Sequence, residues 1–272
     1  MDLGSLALST ALLLDQAPTD APPAVQADAF HLELTMELWM PRLTGDFTDE
    51  GVLVDVSEVD LHESEAVFAG ALTLVHDHLR VGLRGFSFAT EGATTADEAF
   101  TLGGVTVAAG DHFVSGFSWW SAGAEVSYEI DRPYWNATND TDLSLFVLTS
   151  LDVHSISRDL GDSTTGQSTS AHEPFFTLNV GGGFRLGFDT KSTFPLLRRI
   201  EISGEAAVGA AVPAGDGEIG VSTDVEAQCT GWLSNTAAIY FGYRRVGVSF
   251  DGEELSLTAS LQGLRAGFRY EF

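Results

Sequence analysis

The last eighteen residues of the chain, Leu255 to Phe272, read LSLTASLQGLRAGFRYEF, and their pattern decides the fold. Successive side chains of a β-strand point to opposite faces. One face of this segment is therefore apolar and consists of Leu264, Ala266, Phe268, Tyr270 and Phe272. The opposite face consists of Arg265, Gly267, Arg269 and Glu271. Such a strand lies either between a soluble core and water, or between lipid and the polar interior of a transmembrane barrel.

The end of this strand resembles the C-terminal insertion signal of bacterial outer-membrane β-barrel proteins. The likeness rests on polar Arg265, on Gly267 and Tyr270, and on an aromatic Phe272 at the last position; the first-strand phrase LWMPRLTG at 38–45 adds to it. From about residue 30 to 272, the chain is similar to small, porin-like outer-membrane barrels of poorly characterised function. This resemblance implies export, folding by the barrel assembly machinery, and contact with outer-membrane lipids and lipopolysaccharide. It implies no shared activity.

The composition excludes two classes of protein. With 18 phenylalanines and 19% charged residues, the chain is not an acidic disordered protein. A net charge of −26 leaves no excess of cations to neutralise phosphates, so nucleic-acid binding is excluded. The basic residues are twelve arginines and one lysine, Lys191. Arginine is the cation suited to crowded networks, because its planar fork can hold two carboxylates. The single Cys229 excludes an internal disulfide.

Residues 1–29 are expected to form a signal-like or flexible segment ahead of the barrel domain at 30–272. The segment is apolar from Leu3 to Leu14 and then rich in proline and aspartate, but it has no lysine or arginine before its apolar part. The sequence contains no run of about 18 apolar residues, so no transmembrane helix is expected.

The remaining chain predicts about ten long strands. Most are 10 to 17 residues long, whereas strands of soluble proteins average about five or six residues and membrane-spanning strands need about 9 to 11. The fold class is therefore all-β: a single antiparallel up-and-down transmembrane β-barrel of about ten strands, with eight to twelve also compatible. Polar segments at 46–65, 90–112 and 159–173 are expected to be loops on one side. Phase slips near Arg244-Arg245 and Gln262-Gly263 predict bulges or a shifted register.

If the apolar faces meet lipid, the remaining charged side chains must line a narrow lumen. They are Glu33, Glu37, Arg80, Arg84, Glu125, Glu129, Arg185, Arg199, Glu201, Glu205, Asp224, Glu226, Arg265, Arg269 and Glu271. The interior of an eight- to ten-stranded barrel is nearly filled by side chains, and charges there must pair. We expect either a structural plug or a thin water-filled pathway that prefers cations.

Asp152-Val153-His154 is the best candidate for catalysis, because an aspartate that orients a histidine can activate a water or a serine. In spacing alone, it resembles the Asp-x-His of ten-stranded outer-membrane proteases. That family also needs an aspartate pair, for which Asp140/Asp142 and Asp159/Asp162 offer no convincing match. A surface-facing barrel hydrolase therefore stays an alternative, as does a soluble secreted barrel that binds an apolar ligand. The main hypothesis is a bacterial outer-membrane barrel, structural or weakly channel-forming, that is not an enzyme and has no cofactor and no metal.

Overall fold

The computed structural model describes residues 30–49, 52–130, 141–190, 196–253 and 255–272. Within these ranges no helix has the length and apolar composition needed to cross a membrane. The described chain forms thirteen strands: β1 (His31–Asp49), β2 (Val52–Asp55), β3 (Val67–His76), β4 (Leu79–Thr95), β5 (Phe100–Leu102), β6 (Val105–Val107), β7 (His112–Ile130), β8 (Thr141–Asp162), β9 (Ser168–Asp189), β10 (Arg199–Pro213), β11 (Glu218–Trp232), β12 (Ala237–Asp251) and β13 (Ser256–Glu271).

Ten of these strands close into one antiparallel barrel. Each pairs with its neighbour along the chain in the order β1, β3, β4, β7, β8, β9, β10, β11, β12 and β13, and β13 pairs back with β1. The closing pair runs in one unbroken register from Glu33 opposite Glu271 to Thr48 opposite Ser256. Strand β2 extends β1 as a hairpin, and β5 and β6 form a separate small hairpin. The predicted fold class and strand number are confirmed.

Both described chain ends lie at one end of the barrel, which we call the turn end. Asp77 and His78 join β3 to β4, with Asp77 in the left-handed region at φ 50°. Residues 233–236 join β11 to β12. At the opposite loop end, the longer connections are residues 56–66 and 96–111. The loop end also has three short connections, at residues 163–167, 214–217 and 252–255.

Apolar side chains face outward in the half of the barrel nearer the turn end. Phe68 is 83% exposed and Leu83 is 62% exposed, whereas Glu33 is 4% exposed. This apolar belt includes Met36, Leu38, Met40, Leu72, Leu74, Val81, Trp120, Val126, Tyr128, Ile130, Val147, Leu151, Phe176, Leu178, Val180, Phe184, Ile202, Val208, Val225, Ile239, Phe241, Tyr243 and Leu264. A soluble barrel with an apolar interior requires these side chains to be buried, and they are not.

Nearer the loop end, the polarity of the wall is inverted in several strands, although Ile219 and Val221 of β11 remain exposed. In β12, Ile239, Phe241 and Tyr243 face outward below the inversion. Above it, Val246 and Val248 are buried, while Arg245 is exposed. The pairing of β12 with β13 has no register shift, so the bulges predicted near Arg244-Arg245 and Gln262-Gly263 are wrong. The apparent phase slip marks the level at which the apolar side chains change from the outer face to the inner face.

A hydrophobic core fills the loop-end half of the barrel, and we call it the cap. Aromatic residues form its centre, for example Trp119 and Phe175, whose ring centroids lie 6.2 Å apart. The connection after β2 folds into it, because Val59 and Leu61 are buried. The remaining buried side chains include Trp39, Leu43, Phe47, Phe86, Phe88, Leu102, Val105, Phe113, Phe117, Ile156, Leu160, Val246, Phe250, Leu257 and Leu261.

Gly92 lets the connection after β2 pass close to the barrel wall. A Cβ atom at this position would come within 2.8 Å of the backbone carbonyl carbon of Asp60 and of the Ser115 hydroxyl oxygen. The Ser115 hydroxyl in turn donates a hydrogen bond to the backbone carbonyl of Val59. The connection is therefore held inside the mouth by wall contacts as well as by its buried apolar side chains.

The strands at the loop end are longer than the sequence predicts. Segments expected to be loops at 90–112 and 159–173 are partly strand, because β4 continues to Thr95, β8 to Asp162, and β9 begins at Ser168. The outward residues of these strand ends are polar, so their composition is similar to that of a loop. In the short turn after β8, Thr165 Oγ1 and the Thr164 amide donate to the Asp162 carboxylate at 2.5 and 2.7 Å. These hydrogen bonds, above all that from Thr165, lower the pKa of Asp162.

The pairing of β11 with β12 shifts register between Glu218 and Val221, which the sequence does not reveal. The signal-like segment at 1–29 lies outside the described residues. So does Asp140 of the first aspartate pair.

Adjacent phenylalanines in β9 test the two environments of the wall. Phe175 is fully buried in the cap, and Phe176 is 42% exposed on the belt. Phe175→Ala is expected to lower the free energy of unfolding in detergent by about 3–5 kcal/mol, because it leaves a cavity. Phe176→Ala should cost less than about 1 kcal/mol, since detergent replaces the lost contacts. Denaturant titrations followed by tryptophan fluorescence measure both; equal losses would contradict the assigned orientation.

Candidate functional site

The interior between the turn end and the cap is the part of the barrel with the most charge. It contains the side chains of two tiers, which we name by position. The middle tier lies against the cap and includes Glu37, Arg84, Glu125, Asp152, Asp224, Glu226, Arg244 and Arg265. The lower tier lies nearer the turn end and includes Glu33, Arg80, Glu129, Asp142, Arg185, Arg199, Glu201 and Arg269.

Arg84 is the centre of the middle tier and contacts three carboxylates from three strands. Its Nε and Nη2 atoms donate to both oxygens of Asp152 at 3.1 Å. Its Nη1 lies 3.1 Å from Glu125 Oε2 and 3.1 Å from Asp224 Oδ2. Ser150 adds a fourth contact, because its hydroxyl oxygen accepts from Nη2 at 3.2 Å. The guanidinium thus ties β4 to β7, β8 and β11.

Two further arginines complete the middle tier. Arg244 donates from Nε and Nη2 to the two oxygens of Asp224 at 3.2 and 2.8 Å. Arg265 lies 3.2 Å from Glu37 and also donates to Glu226, joining three strands. These fork-to-carboxylate contacts have the geometry that makes arginine the preferred cation in a buried network.

The lower tier has the same construction but looser contacts. Glu33 accepts from Arg80 Nη2 at 2.6 Å and lies 3.2 Å from Arg269 Nε. Glu201 lies 3.5 Å from Arg199 and 3.9 Å from Arg269. Arg199 also donates to Asp142 at 2.9 Å.

Arg185 has the weakest ion pair of the set. It lies 3.9 Å from Glu129, and its guanidinium carbon lies 4.3 Å from the centroid of the Phe146 ring. Of the fifteen residues that the sequence places in the lumen, Glu205 and Glu271 have no ion-pair partner among the described residues. A cavity of about 150 Å³ lies between the tiers and is lined by Glu205, Arg185 and members of both. In the described part of the chain, no group of His, Cys, Asp and Glu side chains could hold a metal ion.

Asp152 and His154 both point into the interior, but their side chains have separate partners. Asp152 is 4% exposed and binds Arg84 and Ser150. His154 is 3% exposed, and its Nδ1 accepts a hydrogen bond from the Trp119 indole at 3.1 Å. Because an indole N–H only donates, Nδ1 carries no proton, and the Nε2–H donates to the Thr177 hydroxyl at 3.0 Å. The imidazole also stacks on Phe175 at 4.6 Å.

The candidate aspartate pairs do not join this histidine. Asp142 binds Arg199 in the lower tier. Asp159 is exposed on the outer wall, and Asp162 binds the turn that follows it. The structure therefore brings Asp152 together with the arginines and brings His154 together with aromatic side chains of the cap.

Three members of the network are absent from the fifteen lumen charges that the sequence predicts. Arg244, Asp142 and Asp152 join the fifteen predicted positions. For Arg244 the signal was present: the alternation of Ile239, Phe241 and Tyr243 on the outer face puts Arg244 inside if it continues without a bulge.

The residues predicted to form an insertion signal close the barrel at the turn end. The Phe272 amide donates to the Leu32 carbonyl at 2.9 Å, and the rings of Tyr270 and Phe272 lie 4.8 Å apart. Gly267 faces inward beside Tyr240, whose hydroxyl a Cβ would approach within 2.5 Å. Tyr240 uses that hydroxyl to donate to Glu37 at 2.8 Å.

Comparison with known proteins shows the fold and not the activity. The sequence matches no protein-family model, and no curated protein sequence matches it. Among solved structures, the chain is similar to the outer membrane protease OmpT from Escherichia coli, with a TM-score of 0.50, 9% identity, and coverage of 92% of this chain and 100% of OmpT. It is more distantly similar to Ail of Yersinia pestis, with a TM-score of 0.36, 12% identity, and coverage of 88% and 98%. The chain has the fold of bacterial outer-membrane β-barrels.

Arg84 provides the test of the network. Arg84→Met leaves Asp152, Glu125 and Asp224 with fewer cations, and we expect it to lower the free energy of unfolding by about 3 kcal/mol, since unpaired interior charge is costly. Arg198→Met at the turn end removes an exposed arginine whose contact is Asn235, and should cost less than about 1 kcal/mol. Denaturant titrations in detergent measure both. An Arg84 variant as stable as the Arg198 variant would contradict a structural role for the network.

Proposed function

We propose that this chain is an integral protein of the bacterial outer membrane and that its barrel acts as a closed structural element of that membrane. The observation that carries the proposal is the apolar belt, an outward band of exposed side chains around a charged interior. In water such a band would expose a large contiguous apolar surface, which soluble monomers avoid. In a lipid bilayer the same apolar side chains would contact apolar acyl chains.

The height of the belt supports this proposal. In β7 it extends from Trp120 to Ile130, which is eleven residues. At about 3.3 Å per residue and a tilt of about 40°, the band is about 25 Å tall, the value typical of outer-membrane barrels. Trp120 at the top and Tyr128 near the bottom are exposed. Aromatic side chains are enriched at those two levels, where lipid headgroups meet the hydrocarbon.

The filled interior favours a structural role over an open channel. The cap occupies the loop-end half, and ion pairs occupy the middle of the barrel. Between the two, near His154 and Val246, the free volume is only about 10 Å³, less than or similar to the space one water molecule needs. An ion crossing the barrel would have to displace apolar side chains.

The proposed location implies specific partners. Outer-membrane lipids would cover the belt, lipopolysaccharide would surround the polar wall above it, and the barrel assembly machinery would insert the chain. The strand ending in Gly267, Tyr270 and Phe272 is the segment that we expect this machinery to bind.

The membrane contact is tested by one pair of arginine substitutions on the outer face of β7. Val126→Arg places a cation near the middle of the belt, and we expect it to destabilise the barrel in lipid vesicles by about 2–4 kcal/mol. Ser118→Arg places the same cation above the belt, where the expected change is less than about 1 kcal/mol. Urea titration of vesicle-folded protein gives both values. If Ser118→Arg were the more damaging, the proposed depth would be wrong.

Two measurements on the unmodified protein test the proposal as a whole. The detergent-extracted barrel should migrate as a compact band on a gel and shift on boiling. In planar bilayers it should show no steady conductance at neutral pH, because the cap and ion pairs fill the bore. A protein that stays soluble without detergent and shows no shift would overturn the membrane proposal. Regular conductance steps would leave the membrane location intact and replace the closed barrel by a channel.

A further inference from the structure

Two arginines differ from all the others in the described chain by facing outward on the barrel wall. Arg42 in β1 and Arg245 in β12 are exposed. The other described barrel-strand arginines face the interior, and Arg198 lies in the turn-end connection before β10. The chain has 39 acidic residues, yet two arginines face outward on its described wall. Their placement relative to each other needs an explanation.

The strand register puts these two arginines side by side. Arg42 lies opposite Gln262 in β13, and Arg245 lies opposite the same Gln262 from the other side. Neighbouring strands are about 4.8 Å apart, so the two arginine backbones are about 10 Å apart with Gln262 between them. Extended arginine side chains can bridge such a separation, and both guanidiniums can reach one group above Gln262.

The row formed by Arg42, Gln262 and Arg245 lies at the upper edge of the apolar belt. Directly below it in the same register lie Met40, Leu264 and Tyr243, which are all exposed. Directly above it, the outer wall has Thr44, Ser260 and Gly247. The row is thus at the level where the surroundings of the barrel change from hydrocarbon to headgroups.

Neither guanidinium is used by the protein itself. Among the described residues, Arg42 and Arg245 form no ion pair and no side-chain hydrogen bond, whereas each of the other described arginines has a partner. Carboxylates do lie nearby. Asp46 lies four residues after Arg42 in β1, and Glu63 and Glu65 flank Ser64, whose backbone forms an isolated β-bridge with Arg42. None of these carboxylates forms an ion pair with Arg42, so the guanidinium of Arg42 remains available to a ligand.

We propose that the row formed by Arg42, Gln262 and Arg245 binds the phosphate of an outer-leaflet lipid headgroup. Two planar guanidinium forks that converge on one phosphate give the bidentate, charge-assisted hydrogen bonds that select this group. Exposed Tyr243 and Met40 below the row would pack against the first part of the acyl chains. The inference rests on the proposed membrane location and adds a defined lipid site to it.

Binding of a phosphorylated lipid to the folded barrel tests the site. The protein in uncharged detergent is titrated with diphosphorylated lipid A, and the bound lipid is counted by native mass spectrometry. Arg42→Gln with Arg245→Gln should weaken binding about tenfold, the change expected from losing about 1.4 kcal/mol of charge-assisted contact. Arg42→Lys with Arg245→Lys keeps the charge without the fork and should give an intermediate loss. Arg198→Gln at the turn end is the matched control and should bind as the unmodified protein does.

The lipid itself supplies the second control. Lipid A without its phosphates should bind the unmodified protein as weakly as lipid A binds the double glutamine variant. Equal binding of both lipids, or of the double variant and the unmodified protein, would overturn the proposal. Displacement of the lipid by millimolar inorganic phosphate would assign the row to free anions and overturn the lipid source. Each variant is first checked for the gel shift on boiling. If the unmodified protein shifts on the gel when boiled but its lipid binding does not depend on phosphate, the lipid site alone is disproved. If the unmodified protein shows no shift, the membrane location is disproved.

Discussion

The closed hydrogen-bonded ladder is the constraint on which the rest of this structure depends. Every barrel strand is paired on both sides at the level of the belt, and β13 pairs with β1 without a register shift. Because the side-chain period of a strand is two, slipping any strand by one residue would turn its whole inner row outward. Closure therefore fixes, for each residue of the wall, whether it meets the interior or the surroundings. The charges of the interior and the apolar belt are two consequences of one register.

The interior meets this constraint in two different ways along its length. Next to the belt, where the outer face is apolar, arginines and carboxylates fill the bore, and Arg84 alone contacts three carboxylates. Above the belt, where most outward side chains of β4, β8 and β9 are polar, Trp119, Phe175 and their neighbours fill it as a conventional hydrophobic core. The upper half thus has the polarity of a soluble barrel, and the lower half has the reverse polarity. The ion pairs at their junction are shielded from bulk water by the cap.

The sequence predicts the strand number, the outward apolar faces and the positions of the charged inner rows, because alternation at period two depends on local residues alone. It does not predict which charges pair, since Asp152 and Arg84 are 68 residues apart and meet only through the closed register. It also misplaces the ends of the strands at 90–95 and 168–173, because a polar outward residue above the belt has the composition of a loop. The predicted bulge at Arg244-Arg245 has the same origin. A change in the polarity of each strand face was interpreted as a change in strand geometry, although the strand continues without a register shift.

In the proposed membrane location, that error marks the row of residues at which the wall passes from hydrocarbon to headgroups. A strand that keeps its geometry while its faces exchange polarity must cross a boundary in its surroundings, and the exchange occurs at Arg245 in β12 and at Gln262 in β13, which are paired. Arg42 in β1 is paired to the same Gln262, so three neighbouring strands change polarity along one row of paired residues. The two guanidiniums of this row have no favourable surroundings in hydrocarbon, and neither forms an ion pair with a described carboxylate. A phosphate plane immediately above the hydrocarbon satisfies both conditions, and the membrane depth of the barrel then follows from its own register.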